Sequence, residues 1–459
     1  MNISKEKLFA NVEKHRDLIL SAERYIWNNP ETGYREWKTD AYMAKQFEAL
    51  GYELVKAKDI PGFYTDIDTG RAGPKVLVMG ELDSLICENH PECDKETFAV
   101  HACGHNAQCA ALVGIAAVLK EPGMLDGLSG SVRLMAVPAE ELIEIGYREG
   151  LRQSGVISYF GGKVEFMKRG YMDGVDLALM VHTTSDLEPG ALAFSKGSNG
   201  CVTKNVVFKG FSSHAGGAPH RGINALYAAS QAFSAINALR ETFKESDTTR
   251  VHPIITKGGN AVNAIPDDVR VESYVRGSSL EAIIDVNKKV NRALAASAAS
   301  LGAGVVIHDR PGYTPLNNDV DFLKTAELAI VETVGVDKTF ARYEKWDTGC
   351  TDMGDVSAVI PAIHPYCGGA KGASHGSEYY ITDPEAACLV SAKFQVLLVA
   401  MLLKEDAARA KKIVENFTPA YASKEAFFEA ISVLDQDKDA VIYNEDGTVT
   451  LDFSKRPHQ

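Results

Sequence analysis

Short apolar runs alternate with helical spacings over the first two hundred residues. Val76-Leu77-Val78-Met79, Val132-Arg133-Leu134-Met135-Ala136-Val137 and Leu177-Ala178-Leu179-Met180-Val181 read as buried strands. Each ends in polar groups: Gly80-Glu81-Leu82-Asp83, Pro138-Ala139-Glu140-Glu141 and His182. Between the first two, Cys109 to Leu119 carries small apolar residues on most faces and predicts a buried helix. Upstream, residues 4–50 predict two helices broken at Asn29-Pro30-Glu31-Thr32-Gly33. The alternation is that of a sheet built from βαβ units. In such sheets, sites form at the carboxyl ends of strands, so these polar ends can converge.

Near Ser195-Lys196-Gly197-Ser198-Asn199-Gly200 the pattern changes. A strand (Val202 to Phe208), a long helix (Asn224 to Phe243), two strands (Val251 to Thr256, Val269 to Arg276), a helix (Leu280 to Ala299) and a strand (Ala303 to His308) follow, closing at Arg310-Pro311-Gly312. This βαββαβ order predicts a ferredoxin-like layer. From Leu316 the first pattern resumes and ends in an apolar helix, Ala387 to Leu403. The reading is an α/β, mixed-sheet catalytic domain over 1–197 and 312–412, interrupted by an inserted domain over 198–311, with a C-terminal extension over 413–459. In the extension, Asp446-Gly447 between two apolar runs predicts a hairpin. Asp435, Asp437 and Asp439 resemble the start of an EF-hand loop, but Ala440 stands where the sharp turn needs glycine, so a solvated turn is expected.

The chain has 459 residues, 45% hydrophobic and 24% charged, with a formal net charge of −13. That balance argues against nucleic acid or an anionic membrane as partner. No signal-peptide core opens the sequence and no apolar run is expected to span a bilayer. Eight cysteines in so long a chain are not a disulfide framework; free thiols in a reducing cytoplasm are expected.

The chemistry centres on His101-Ala102-Cys103-Gly104-His105-Asn106. Cys103 and His105 place a thiolate and an imidazole, both good ligands for a divalent transition metal, at the mouth of a helix. Glu140 and Glu141, adjacent at a strand end, can face different ways, one binding metal and the other reaching a metal-activated water. His375 lies in a glycine-rich loop that lets backbone approach closely, though it lacks the P-loop spacing. Cys87, His90 and Cys93 suggest a zinc knot without its fourth ligand, and read better as a loop near the site. His220 reads equally as a second lid histidine or a simple loop residue, and Tyr366 and Cys367 either line the pocket or pack beneath it.

Gly80 to Asp83, His101 to Asn106, Ala139-Glu140-Glu141, His182, Ser213-His214-Ala215-Gly216-Gly217-Ala218-Pro219, Asn263-Ala264-Ile265-Pro266 and Thr351-Asp352-Met353-Gly354-Asp355-Val356-Ser357 occur in this order. Together they resemble the dinuclear zinc metallopeptidase family of aminoacylase and glutamate carboxypeptidase. The nearest look is its amidohydrolase subfamily, with p-aminobenzoyl-glutamate hydrolase, amino-acid-conjugate hydrolases and β-alanyl dipeptidases. The resemblance covers roughly residues 4–405.

It implies two divalent metal ions per subunit, zinc first, manganese or cobalt also fitting. Cys103 would bridge them, with His105, Glu141, His182 and His375 as further ligands. Glu140 would be the general base and Asp83 would orient a ligand. The inserted domain would be a lid forming a homodimer, with His214 serving the partner's site. Asn263 and Arg276 would hold the substrate carboxylate. The implied activity is hydrolysis of the amide bond of an N-acyl or aminoacyl amino acid or dipeptide. Alternatives are a dipeptidase or carboxypeptidase on unmodified peptides, a cysteine enzyme using Cys103 with His101 or His105, and a catalytically silent metal-binding scaffold. Two departures stand out: Glu81 where wider relatives carry a metal-binding histidine, and Leu142-Ile143-Glu144 where glycines often follow the acidic pair.

Overall fold

The computed structural model describes residues 3–452. Its first sheet has six strands in the order Val55–Lys56, Phe63–Asp68, Ser131–Val137, Lys75–Glu81, Leu177–Leu179, Ala362–Ile363. The last four run parallel, and Glu81 pairs with Val137. Their carboxyl ends therefore open at one edge. The strands are buried on both faces, as parallel sheets require. Val76 and Val78 face one core with the helices Arg16–Trp27, His105–Lys120 and Ser391–Asn416; Leu77 and Met79 face a second core with Gly162–Lys168.

Helix His105–Lys120 is buried along all but its last residue, as its composition predicts. Gly104 precedes it at φ +87°, a conformation glycine adopts without strain, and a Cβ there would crowd Thr183 and the Tyr379 hydroxyl. The first fifty residues form three helices rather than two, because the chain turns at His15 between Lys5–Lys14 and Arg16–Trp27. The break at Asn29–Gly33 lies where expected, before Trp37–Ala49. The segment Glu385–Asn416 is, against expectation, long and apolar enough to cross a membrane; it is instead a core helix, mostly buried inside the protein.

The second sheet is organised by one strand of 18 residues, Leu192–Lys209. Its first half pairs in parallel with Thr339–Cys350 beside the first sheet. Its second half lies between Asp268–Gly277 and Gly304–Pro311, with Arg250–Lys257 outermost, all antiparallel. Helices Ala225–Leu239 and Leu280–Ser300 cover this half, which gives the ferredoxin-like arrangement. The strand runs unbroken through the position where the insertion is expected to begin.

The aspartates of the extension do not form a solvated turn. Gln436–Asp439 adds a strand beside Gly304–Pro311, and Asp437 and Asp435 pair with Arg310. The hairpin Val441–Tyr443 with Val449–Leu451 is present, and Leu434, Ala440 and Val441 complete the apolar core of this unit. The last seven residues of the extension lie outside the described ones.

Candidate metal centre

The parallel strand ends bring the expected residues to one point. Ligand atoms of Cys103, His105 and His182 lie within 4.8 Å of one another, as do those of Cys103, Glu141 and His375, and of His105, Glu140 and Glu141. Cys103 belongs to two of these groups. Its Sγ is 3.3 Å from His182 Nε2, and His375 Nε2 is 3.2 Å from Glu141 Oε1. Asp83 orients both sides: its carbonyl lies 2.8 Å from His105 Nδ1, and its carboxylate accepts from the Glu141 amide at 2.8 Å. His105 thus turns Nε2 toward the cluster.

The backbone around these groups is unusual. Ala139, before the acidic pair, sits at φ +58° and His375 at φ +64°. Such left-handed positions cost roughly 1–3 kcal/mol for residues other than glycine and collect at functional sites. The His375 amide is fixed by a bond to the Ala102 carbonyl, 2.9 Å.

Burial and neighbouring charge tune the donors. Burial and the Glu141 carboxylate push the Cys103 thiol up, but the His182 and His105 imidazoles more than offset them and bring it down to about 6. Burial also pushes Glu141 up, and His375 brings it down to about 2. Glu140 moves well above the usual carboxylate range, through burial first and then Glu81, Glu141 and Asp352. The buried His105 Nε2 and Glu141 Oε1 have no hydrogen-bond partner among the described residues. Orphaned donors and acceptors beside a readily ionised thiol form a set that fits divalent transition metals.

A cavity of about 290 Å³ opens on the cluster, lined by Cys103, Glu140, Glu141, His182 and His375, with Tyr274 and Arg276 entering from the lid side. His214 and Asn263 are not there. Both are exposed on the lid, in adjoining loops where the Asn263 carbonyl accepts from the Ala215 amide at 2.9 Å. His101 is buried without a hydrogen-bond partner among the described residues, and burial pushes it down to about 3. His90 is engaged by the Tyr379 carbonyl and the Glu92 amide, which leaves Cys87, His90 and Cys93 a loop element rather than a zinc knot. His220 is exposed in a short helical turn, Tyr366 lines the cavity and Cys367 packs in the core. All eight cysteines are free.

Several residues of the site carry no signal in the motifs. Lys163 bridges Glu81 and Asp352 at 2.5 Å each. The Tyr313 hydroxyl donates to the Glu140 carbonyl, and buried Arg148 donates to the carbonyl of Glu141. Leu142 and Ile143, which follow the acidic pair where relatives often carry glycines, line the cavity, and the Gly162 amide donates to the Ala139 carbonyl at 3.1 Å. A Cβ on Gly162 would strike the Pro138 carbonyl.

Fold and cluster together define a metal-dependent hydrolase. Residues 196–301 match the family model of the peptidase dimerisation domain. The chain is 27% identical over 419 residues to the Xaa-Arg dipeptidase of Mus musculus, covering 88% of both chains. It is 28% identical to the N-acetyl-L-cysteine deacetylase of Bacillus subtilis, covering 70% of this chain and 73% of that one. It shares its fold with a dinuclear metal-binding peptidase of the M20 family from Bacillus subtilis, at a TM-score of 0.62 and 22% identity over 85% of this chain and 99% of that one. The chain is thus similar to amide-bond hydrolases, a dipeptidase and a deacetylase among them, and shares the fold of a dinuclear metal-binding peptidase.

Proposed function

We propose that the protein hydrolyses the amide bond of an N-acyl or aminoacyl amino acid or dipeptide whose leaving half carries a free carboxylate. The observation that carries this reading is the sharing of Cys103 between two three-residue ligand groups, the arrangement a bridging thiolate needs. Cys103 with His105 and His182 would hold one ion, and Cys103 with Glu141 and His375 the other, with zinc favoured by thiolate and imidazole and manganese or cobalt admitted by the carboxylate. When bound, these ions supply Lewis acidity to the carbonyl oxygen and acidify water.

The chain's own groups do the rest. Glu140, buried beside the cluster with its proton affinity raised, takes a proton from water at its carboxylate and returns it to the leaving nitrogen. Asp83 holds the His105 ring, as partners beyond a metal's direct ligands do in such sites. Arg276 projects into the cavity and would pair with the substrate carboxylate through its planar fork. His214 and Asn263, remote from their own cavity, would serve the partner's site in a homodimer formed by a lid over 198–311. Exposed Phe211, Tyr227 and Val262 on the same unit supply apolar surface for that contact. The relatives' names, a dipeptidase and a deacetylase of an N-acylated amino acid, agree with this substrate class. The acidic net charge suits a cytoplasmic enzyme without nucleic-acid or membrane partners.

The test is metal analysis of Cys103→Ala beside a screen of N-acyl amino acids, p-aminobenzoyl-glutamate and β-alanyl dipeptides. The variant is expected to fold and to lose most of its metal, and the wild type to turn over at least one of these classes. Undiminished metal in Cys103→Ala overturns the bridging assignment. The 3.3 Å pairing of Cys103 with His182 supports one rival, a cysteine nucleophile with His182 as base, in place of His101 or His105. That enzyme would survive chelation.

A further inference from the structure

Behind the proposed metal cluster stands a carboxylate trio. Ligand atoms of Glu81, Glu140 and Asp352 lie within 4.8 Å of one another, and all three residues are buried. Carboxylates so grouped repel one another, so either one of them keeps its proton or a cation lies among them. The cation here is the fully buried Lys163 ammonium, 2.5 Å from Glu81 Oε1 and 2.5 Å from Asp352 Oδ1. Its position is fixed from the backbone as well: the Lys163 amide donates to Asp352 Oδ2 at 2.9 Å. The contact of Gly162 with the loop before Glu140 holds the turn in place.

The second oxygen of Glu81 shows what the ammonium leaves undone. Glu81 Oε2 is buried without a hydrogen-bond partner among the described residues and lies 3.3 Å from His105 Nε2. One oxygen of this fully buried carboxylate is thus committed to Lys163, while the other is aimed toward the cluster. An ammonium carries one charge and donates hydrogen bonds. A divalent ion in the same place would draw on both Glu81 oxygens, and on Glu140 as a ligand.

We propose that Lys163 fills a third cation position of this site, and that Glu81, Glu140 and Asp352 form an all-oxygen divalent-metal site which its ammonium keeps closed. The ligand class is a hard divalent ion such as Mn²⁺, since the three side chains offer only carboxylate oxygen. The consequence for the reaction is that Glu140 remains uncoordinated and free to carry a proton. The inference rests on the two-metal reading above only for the number of ions already present.

The experiment uses the full-length chain. Wild type and Lys163→Met are dialysed against Mn²⁺, and bound metal per chain is measured by elemental analysis, with thermal unfolding followed at several Mn²⁺ concentrations. Lys163→Met is expected to bind about one ion more than the wild type and to gain more in Tm from Mn²⁺. Removing the ammonium leaves two buried carboxylates unpaired, so this variant is expected to lean on the metal for folding. Lys163→Met with Asp352→Asn removes one carboxylate as well, and is expected to fold and to return to the wild-type count. An unchanged count in Lys163→Met overturns the proposal. So does a misfolded Lys163→Met that Mn²⁺ does not restore, and so does a double variant that keeps the extra ion. A wild-type count below two overturns the dinuclear reading instead, while the difference between the chains still decides the role of Lys163.

Discussion

Lys163 and Lys204 are both fully buried, yet they sit in opposite surroundings. Lys163 lies between two carboxylates under the cluster, and their charge more than offsets burial, so its proton is held more tightly than in water. Lys204, in the lid, meets one carboxylate, Asp309, at 2.5 Å and one amide oxygen, Asn287 Oδ1, at 2.6 Å. There burial wins and its proton affinity falls. Further bonds reach the same carboxylate, since Asp309 Oδ2 also accepts from Asn287 and Asn291 at 2.8 Å each. Beside the cluster, Glu81 Oε2, His105 Nε2 and Glu141 Oε1 are left without hydrogen-bond partners among the described residues. The lid pairs its buried charges with one another and leaves neutral atoms such as Asn291 Oδ1 without a partner among the described residues, whereas beside the cluster the atoms so left belong to carboxylates and an imidazole.

Substitutions in the two regions should therefore fail in different ways. The largest effect is expected at Glu140. Glu140→Gln keeps the side chain's size and removes its basic lone pair. We expect kcat to fall by at least about 10², in line with general-base contributions, with metal content and folding unchanged. Steady-state kinetics with metal analysis check this; near-normal turnover moves the base to another group.

A smaller but more specific effect is expected between subunits. Glu140→Gln and His214→Ala chains, each inactive alone, are mixed under conditions that allow exchange. Hybrids should regain activity, because one of their sites combines an intact Glu140 with His214 of the partner subunit. An oxyanion donor of this kind is often worth about 10²–10³ in rate. Confirmed exchange without recovered activity places the function of His214 within its own chain or removes it.

The same contrast explains what the sequence could show. The strand ends that carry Asp83, Glu140, Glu141 and His182 are legible because an apolar run followed by a polar pair is a local pattern. So is the lid order, since each of its elements has its own period. Lys163 is not legible. Its partners, Glu81 and Asp352, are far from it in sequence, and neighbouring Gly162 meets the loop before Glu140 only in the fold. The strand Gln436–Asp439 escapes for a similar reason: its residues are polar, and it exists because Arg310, His308 and the edge of Gly304–Pro311 receive it. A helix as apolar as Ser391–Asn416 gives a clear pattern, but composition cannot say whether protein or lipid surrounds it.

The smallest effect is expected in the lid. Breaking a buried ion pair by removing one partner commonly costs about 3–5 kcal/mol, because the other charge is stranded. Asp309 would not be stranded by Lys204→Met, since two amide donors remain on Oδ2. Lys204 is moreover held as a cation against burial, so its own desolvation is relieved by the change. We therefore expect Lys204→Met to destabilise by only about 1–2 kcal/mol. Lys204→Met with Asp309→Asn should return to within about 1 kcal/mol of wild type, because replacing a whole buried pair is often close to neutral. Denaturant unfolding of the two variants and of Asp309→Asn alone closes the cycle, with kcat unchanged throughout. A loss above about 3 kcal/mol in Lys204→Met, not recovered in the double variant, would mean that the lid depends on its buried charge as strongly as the catalytic unit does.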